Sequence, residues 1–461
     1  MAFVVLAACA LTMPAGEASA FTASPGAFGE PVAITAPTPS LLPLTPAAAA
    51  SVATETNYIE SCQKPGGAIA EAPGSDMVNT YLASYGAQGL ARSAELTGDA
   101  TAAADAWSYL RWYQGQENSQ GWVGDYVVNG SITVQTIAPD STDATSGMYL
   151  VAADDAWATT HDIASLDGIA AGITGAVRAI EEVQDADGMT WALPSYHVKY
   201  LMDESETYGG LRAAVVLANA LGDPTLSAEA SSDASRLAAG VATLWDPATG
   251  AYDWAKHADG AQQATDWTYL YPDGLEEIWA VAYGVAPASQ SQTLVGTFVS
   301  RQPTWTSPAS TSQYRGDGSQ STGYAPVATW ALATVGDPSQ GATDASSILQ
   351  AAATAGMLWP FTVADAGELV VAASGGNPLA SAAPAPINKP IIGMAATPDG
   401  KGYWLVASDG SMFTFGDAGN FGSEGAVTLN KPIVGMAATP DGKGYWLVAS
   451  DGGMFTFGDA V

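Results

Sequence analysis

Two segments of the chain concentrate acid at the head of a predicted helix. "PDSTDATSGMYLVAADDAW" puts Asp140 and Asp143 in a first turn, and "YLMDESETYGGLRAAVVLANALGD" opens with Asp203, Glu204 and Glu206. An acidic first turn complements the partial positive charge of a helix N-terminus, and Pro139 and Ser141 are ordinary helix openers, so capping alone accounts for either segment. Two such helix starts facing one cleft would instead assemble carboxyl groups for general acid–base work, one giving a proton and another taking it. Asp125, in the aromatic stretch "GWVGDYVVNG", is a further candidate. On the first helix Asp143, Gly147, Leu150 and Asp154 share a face, and the glycine leaves room above the helix axis. Asp154 and Asp155 read as a solvated face.

Aromatic residues crowd the same predicted loops. Trp122, Tyr126, Trp191, Tyr196, Tyr200, Trp254 and Trp267 form the candidate binding set, with Tyr252, Tyr269 and Tyr271 nearby. Flat rings with a polar edge suit ligands that present both apolar faces and hydroxyls. Trp107, Trp112 and Trp279 fall inside helical patterns and read as core. Other chemistries find little support. His161, His197 and His257 are scattered with no metal-ligand spacing, "DGLEEI" and "PDGKG" lack the acid spacing of a calcium loop, and no phosphate-binding glycine loop follows a strand. No metal or cofactor is expected. His197 and Lys199 precede the acidic turn and read as its counter-charges.

These groups need a scaffold, and composition bounds it. At 461 residues the chain exceeds the roughly 250 to 300 residues at which single cores stop growing, so a large domain with a smaller one is expected. Lys and Arg number 14 against 46 Asp and Glu, a formal charge of −32, which repels nucleic acid phosphates and anionic membranes. The opening "MAFVVLAACALTMPAGEASAF" is an apolar stretch ending in Ala18-Ser19-Ala20, the pattern of a signal peptide over 1–20, and points to export as a secreted or cell-surface protein. Cleavage there leaves Cys62 as the one cysteine, which excludes an internal disulfide. No other apolar run approaches the roughly 20 residues of a membrane span.

Residues 21–53 are rich in Pro, Ala and Thr and read as a linker, as do residues 374–387. Between them, 54–373 repeats one theme: an Ala/Leu-rich helix ends in "TGD" or "GD" and a second helix follows. This is the grammar of stacked helical hairpins. The segments "GDYVVNG", "DSTDATSGMYL", "GMTWALPSYHVKYLMDESETYGGLRAA" and "YPDGLEEIWAVAYGV" resemble secreted bacterial proteins of the six-hairpin glycosidase-like superfamily. The resemblance implies a mainly α fold, an (α/α)6 toroid of helical hairpins, with a funnel that acts on an oligo- or polysaccharide through acidic residues. It implies glycoside hydrolysis first, where two carboxyl groups straddle the scissile bond. Epimerases, lyases and non-catalytic saccharide-binding proteins remain open on the same barrel.

The C-terminal stretch 388–461 differs in kind. "NKPIIGMAATPDGKGYWLVASDGSMFTFGDA" from Asn388 recurs with near identity from Asn430, a period of 42 residues, the second copy being incomplete. Short β-rich runs separated by "PDGKG" and "SDG" turns predict a small all-β segment of incomplete propeller-like blades, resembling repeats appended to exported bacterial enzymes. Contact with a cell wall or surface is the expected use of the repeats.

Overall fold

A computed structural model describes residues 46–130, 132–137, 141–306, 311–313, 320–322, 325–335, 341, 343–345, 347–348, 361–374, 390–398, 403–415, 421 and 429–460. The signal-peptide stretch 1–20, Asp140 and residues 21–45 and 375–387 of the two linker stretches lie outside the described residues.

The first helix, α1 (Pro46–Cys62), begins inside the stretch that composition reads as linker, and Val52, Glu55 and Ile59 on it are buried. Ala-rich sequence is a good helix former whatever its resemblance to linkers, and here it finds a packing partner. Then follow α2 (Thr80–Thr97), α3 (Ala100–Gln114), α4 (Thr142–Thr160), α5 (Ile163–Gly168), α6 (Ala170–Val183), α7 (Leu201–Leu221), α8 (Pro224–Val241), α9 (Asp273–Ala282), α10 (Ala288–Arg301), α11 (Val327–Thr334) and α12 (Val363–Ala373). The boundaries have local causes. Gly98 takes φ 76° to end α2 and Asp99 then accepts from the Thr101 and Ala102 N–H groups that open α3; Gly222 and Asp223 do the same between α7 and α8.

Six helices pack in cyclic order: α2 on α4, α4 on α7, α7 on α9, α9 on α11, α11 on α12, and α12 back on α2. The intervening helices lie outside: α1 touches α12 and α2, α3 touches α2 and α4, α6 touches α4 and α7, and α10 touches α9 and α11. This is a mainly α fold of helical hairpins. Small residues set the inner spacing. A Cβ on Gly210 of α7 would lie 2.4 Å from Gly147 Cα of α4, so these two helices touch backbone to backbone.

An inner helix has no solvent face, which overturns one expectation. From Thr142 to Ala156 every residue of α4 is buried, Asp154 and Asp155 included. The Arg92 guanidinium of α2 lies 3.0 Å from Asp155 Oδ1, and Gln88 donates to Oδ2 at 2.9 Å. Burial still pushes the Asp155 carboxyl up to about 7, against the pull of Arg92.

Short antiparallel sheets fill the loops that enter the inner helices. Strands β1 (Met77–Val78), β2 (Asp125–Asn129) and β3 (Ile132–Ile137) form one, while β4 (Val198–Tyr200), β5 (Trp245–Asp246), β6 (Ala251–His257) and β7 (Gln262–Ala264) form another around β6. A third pairs β8 (Thr311–Gln313) with β9 (Gln320–Thr322). The repeats fold as two three-stranded meanders, β10 (Ile391–Ala396), β11 (Tyr403–Ala407) and β12 (Met412–Phe415), then β13 (Ile433–Ala438), β14 (Gly444–Ala449) and β15 (Met454–Gly458). Both carry the same register and a bulge at the same place.

Candidate active site

The acidic starts of α4 and α7 come together. Ser141 caps α4, accepting from Ala144 N at 3.3 Å, and its hydroxyl lies 2.6 Å from Asp143 Oδ1 and 3.2 Å from Asp203 Oδ2. Thr190 ties the same two helices from the other side, its hydroxyl donating to Asp143 Oδ2 at 2.6 Å and its N–H to Glu204 Oε1 at 2.8 Å. The third inner helix joins in: Glu276, in the first turn of α9, accepts from Met202 N at 3.1 Å and so caps α7 from its neighbour.

Four carboxyl groups thus crowd one end of the inner helices, and their protonation is coupled. Burial raises the Asp143 carboxyl, opposed by donors on both oxygens from Ser141, Thr190 and Ala144 N. Burial raises Asp203 well above the carboxylate range, and the Asp143 charge raises it further, with only the shared Ser141 hydroxyl in opposition. Asp143, whose two oxygens face three donors, carries negative charge more readily than Asp203, so the retained proton belongs on Asp203. Glu204 and Glu276 are likewise raised by burial.

Glu206 lies one turn further along α7. Its Oε1 accepts from Tyr81 at 2.7 Å, from the Trp279 indole at 2.8 Å and, closer still, from Tyr85, while Oε2 is buried with no partner. Burial pushes this carboxyl up to about 8 against those three donors, so near neutral pH it is largely protonated. With Oε1 already saturated by donors, its proton belongs on Oε2. Tyr283 extends the network, donating to Tyr85 at 3.0 Å. Tyr81, Tyr85, Thr190 and Glu276 are absent from the residues singled out in the sequence; Ser141, read there as a helix opener, is the cap of α4 and also joins the two carboxyl groups, and Trp279, read there as core, is both buried and a donor to Glu206.

Asp125 sits elsewhere in the loop layer. Its oxygens accept from Asn79 Nδ2 at 3.1 Å and from Thr80 N at 3.2 Å, so it braces the first turn of α2. Among the aromatic candidates, Tyr200 immediately precedes α7 and stacks on Trp254 of β6, ring centres 6.1 Å apart and 9° from parallel, with the Tyr196 hydroxyl 2.9 Å from that of Tyr200. The nearby charges of Asp203 and Glu276 help to raise the Tyr200 hydroxyl, after burial, which places this stack beside the carboxyl cluster. Trp191 is part-buried, with Lys199 Nζ 3.9 Å above its ring and His197 against it. Trp122 is part-buried next to β2, and Trp267 packs partly against the core. Tyr126 is a core residue, 6 % exposed and edge-on to Trp112, because the inward side of β2 faces the helices. Against the larger effect of burial, the Lys199 charge lowers the Glu204 carboxyl in the acidic turn that follows it, but its ion pairs lie elsewhere. Fully buried, it pairs with Asp185 at 2.8 Å and Asp187 at 2.5 Å.

Solved glycosidase structures share this fold. A wild-type glycosidase matches with a TM-score of 0.50 at 15 % identity, covering 71 % of this chain and 96 % of its own. A variant glycosidase gives a TM-score of 0.52 at 16 % identity over the same shares. GH63 mannosylglycerate hydrolase from Thermus thermophilus, solved in complex with glucose, gives 0.50 at 11 % identity over 71 % of this chain and 99 % of its own. At such identities the likeness shows the fold, that of the helical-barrel glycosidases. No protein-family model and no curated protein matches the sequence. Among the described residues no helix is long and apolar enough to cross a membrane.

Proposed function

We propose that the chain is an exported glycoside hydrolase acting on an oligo- or polysaccharide. The observation that carries this reading is the shared Ser141 hydroxyl, 2.6 Å from Asp143 Oδ1 and 3.2 Å from Asp203 Oδ2, which holds two buried carboxyl groups so close that charge on Asp143 favours a proton on Asp203. Asp203 is the general acid: it is 5 % exposed where Asp143 and Glu206 are at most 1 %, and it would protonate the leaving glycosidic oxygen. Glu206, three residues on along α7, supplies the second carboxyl: its ionised form, which Tyr81, Tyr85 and Trp279 stabilise through Oε1 and which grows as pH rises toward about 8, is the one that would act as base or nucleophile. Asp143, with both oxygens occupied, acts through Asp203 as a positioning residue. The Tyr200–Trp254 stack and Tyr196 receive sugar rings. The glycosidase fold supports this reading, as does the gathering of carboxyl groups at one end of the inner helices. Export, and a surface contact made by the repeats, belong to it on the strength of the sequence.

Release of reducing ends from a panel of polysaccharides tests the proposal. Activity on at least one member, lost on substitution of Asp203, is the expected result. An unsaturated product absorbing in the ultraviolet would make the protein a lyase. Binding without turnover would make it a saccharide-binding protein.

A further inference from the structure

The turn between α6 and β4 holds a carboxylate outside the acid cluster that binds to three segments at once. Asp187 Oδ1 accepts from Met189 N at 3.2 Å, which closes the turn, and from Lys199 Nζ of β4 at 2.5 Å. Its Oδ2 accepts from Lys256 Nζ of β6 at 2.9 Å. Although burial opposes ionisation, the bonds from the two lysines hold the Asp187 carboxyl below its ordinary range, so it is charged at neutral pH.

The strand register gives that charge a task. Lys199 and Lys256 are direct partners where β4 pairs with β6, and like charges opposite each other across two strands repel. Asp187 meets both ammonium groups and turns the repulsion into a bridge, while Asp185 adds a bond to Lys199 at 2.8 Å. The two ends of the bridge lead to the two parts of the candidate site. Three residues along the turn from Asp187, Thr190 donates to Asp143 and to Glu204. On the strands, Tyr200 follows Lys199 and Trp254 lies two residues before Lys256, and these rings form the parallel stack.

We propose that Asp187 is a positioning residue, holding the Tyr200–Trp254 platform and the Asp143–Asp203 pair in one frame so that a sugar ring on the stack presents its glycosidic bond to the acid. The tie itself stands on the hydrogen bonds of Asp187 and Thr190; what the two joined parts do rests on the hydrolase reading. Lys256 belongs to the platform end of the tie, and Thr190 to the acid end.

Two variants of the full chain test this. Asp187→Asn keeps the size of the side chain and removes its charge, while Lys256→Met, at a side chain 22 % exposed, keeps the apolar stem and cuts only the bond to β6. Amide hydrogen exchange without substrate reads the tie: Asp187→Asn should speed exchange about tenfold or more in both 185–191 and 251–257, and Lys256→Met in 251–257. On a saccharide that the wild-type chain cleaves, Asp187→Asn should lose about tenfold or more in both kcat and affinity, since a misplacement of about 1 Å can cost about a hundredfold. Lys256→Met should lose affinity with kcat near wild type. Unchanged exchange in both segments of Asp187→Asn, or in 251–257 of Lys256→Met, overturns the proposal whether or not the chain hydrolyses a saccharide. So does faster exchange with kcat and affinity at wild-type values, or a loss of kcat in Lys256→Met as large as its loss of affinity. A wild-type chain that cleaves no saccharide, with Asp187→Asn still loosening both segments, contradicts the hydrolase reading and supports the tie.

Discussion

Asp143 and Asp203, from the first turns of neighbouring inner helices, are held to a single hydroxyl, with Ser141 Oγ 2.6 Å from one carboxyl and 3.2 Å from the other. The Asp143 charge is, after burial, the largest cause of the raised Asp203 pKa. A general acid works in its protonated form, so activity is lost as pH rises through that pKa. Asp143→Asn removes the charge, lowers the Asp203 pKa and should move the alkaline limb of kcat/KM to lower pH. A limb that stays in place would separate Asp143 from the acid.

Glu206 rises from 4.5 to about 8 on burial, and Glu55 and Glu117 are likewise pushed up to about 8. Between pH 4.5 and 8 these groups are protonated when folded and ionised when unfolded. The folded state therefore binds more protons, and stability falls as pH rises through this window. The unfolding midpoint should be higher at pH 5 than at pH 8. Glu206→Gln keeps an acceptor for Tyr81, Tyr85 and Trp279 and should flatten this dependence; an unchanged slope would contradict the raised pKa.

Asp125 braces α2 through Asn79 and the Thr80 N–H. Asp125→Asn should leave turnover near wild type, and Asp125→Ala should cost about 1 kcal/mol of stability, the usual worth of a lost helix cap. Thermal unfolding and initial rates on the same samples separate the two effects.

Asp155 behaves differently because its partner is a buried Arg92. Asp155→Ala removes the carboxylate 3.0 Å from this desolvated guanidinium and should cost about 3 kcal/mol. The melting temperature should drop well beyond the effect of Asp125→Ala, with turnover preserved while the protein is folded.

The sequence carried the helical hairpins plainly, because Gly98-Asp99 and Gly222-Asp223 use local backbone chemistry to end one helix and begin the next. It also carried the acidic starts of α4 and α7. Their meeting depends on helix order around the ring, which no local pattern encodes, and so do the donors to Glu206, drawn from α2 and α9. Asp154 and Asp155 misled for the same reason: on an inner helix a charged pair marks a buried network, where on an outer helix it would mark solvent. Tyr126 looked like a loop aromatic, yet the alternation of β2 turns it into the core.

The most direct test of the account is turnover of Asp203→Asn on whichever saccharide the wild-type chain cleaves fastest, with binding measured alongside. General acid catalysis contributes about a hundredfold to ten-thousandfold, and an amide cannot give the proton. The account predicts a loss of at least about a hundredfold in kcat with saccharide affinity and melting temperature nearly unchanged. Turnover within a few-fold of wild type would show that the proton comes from elsewhere and that the Asp143–Asp203 pair serves only to join two helices.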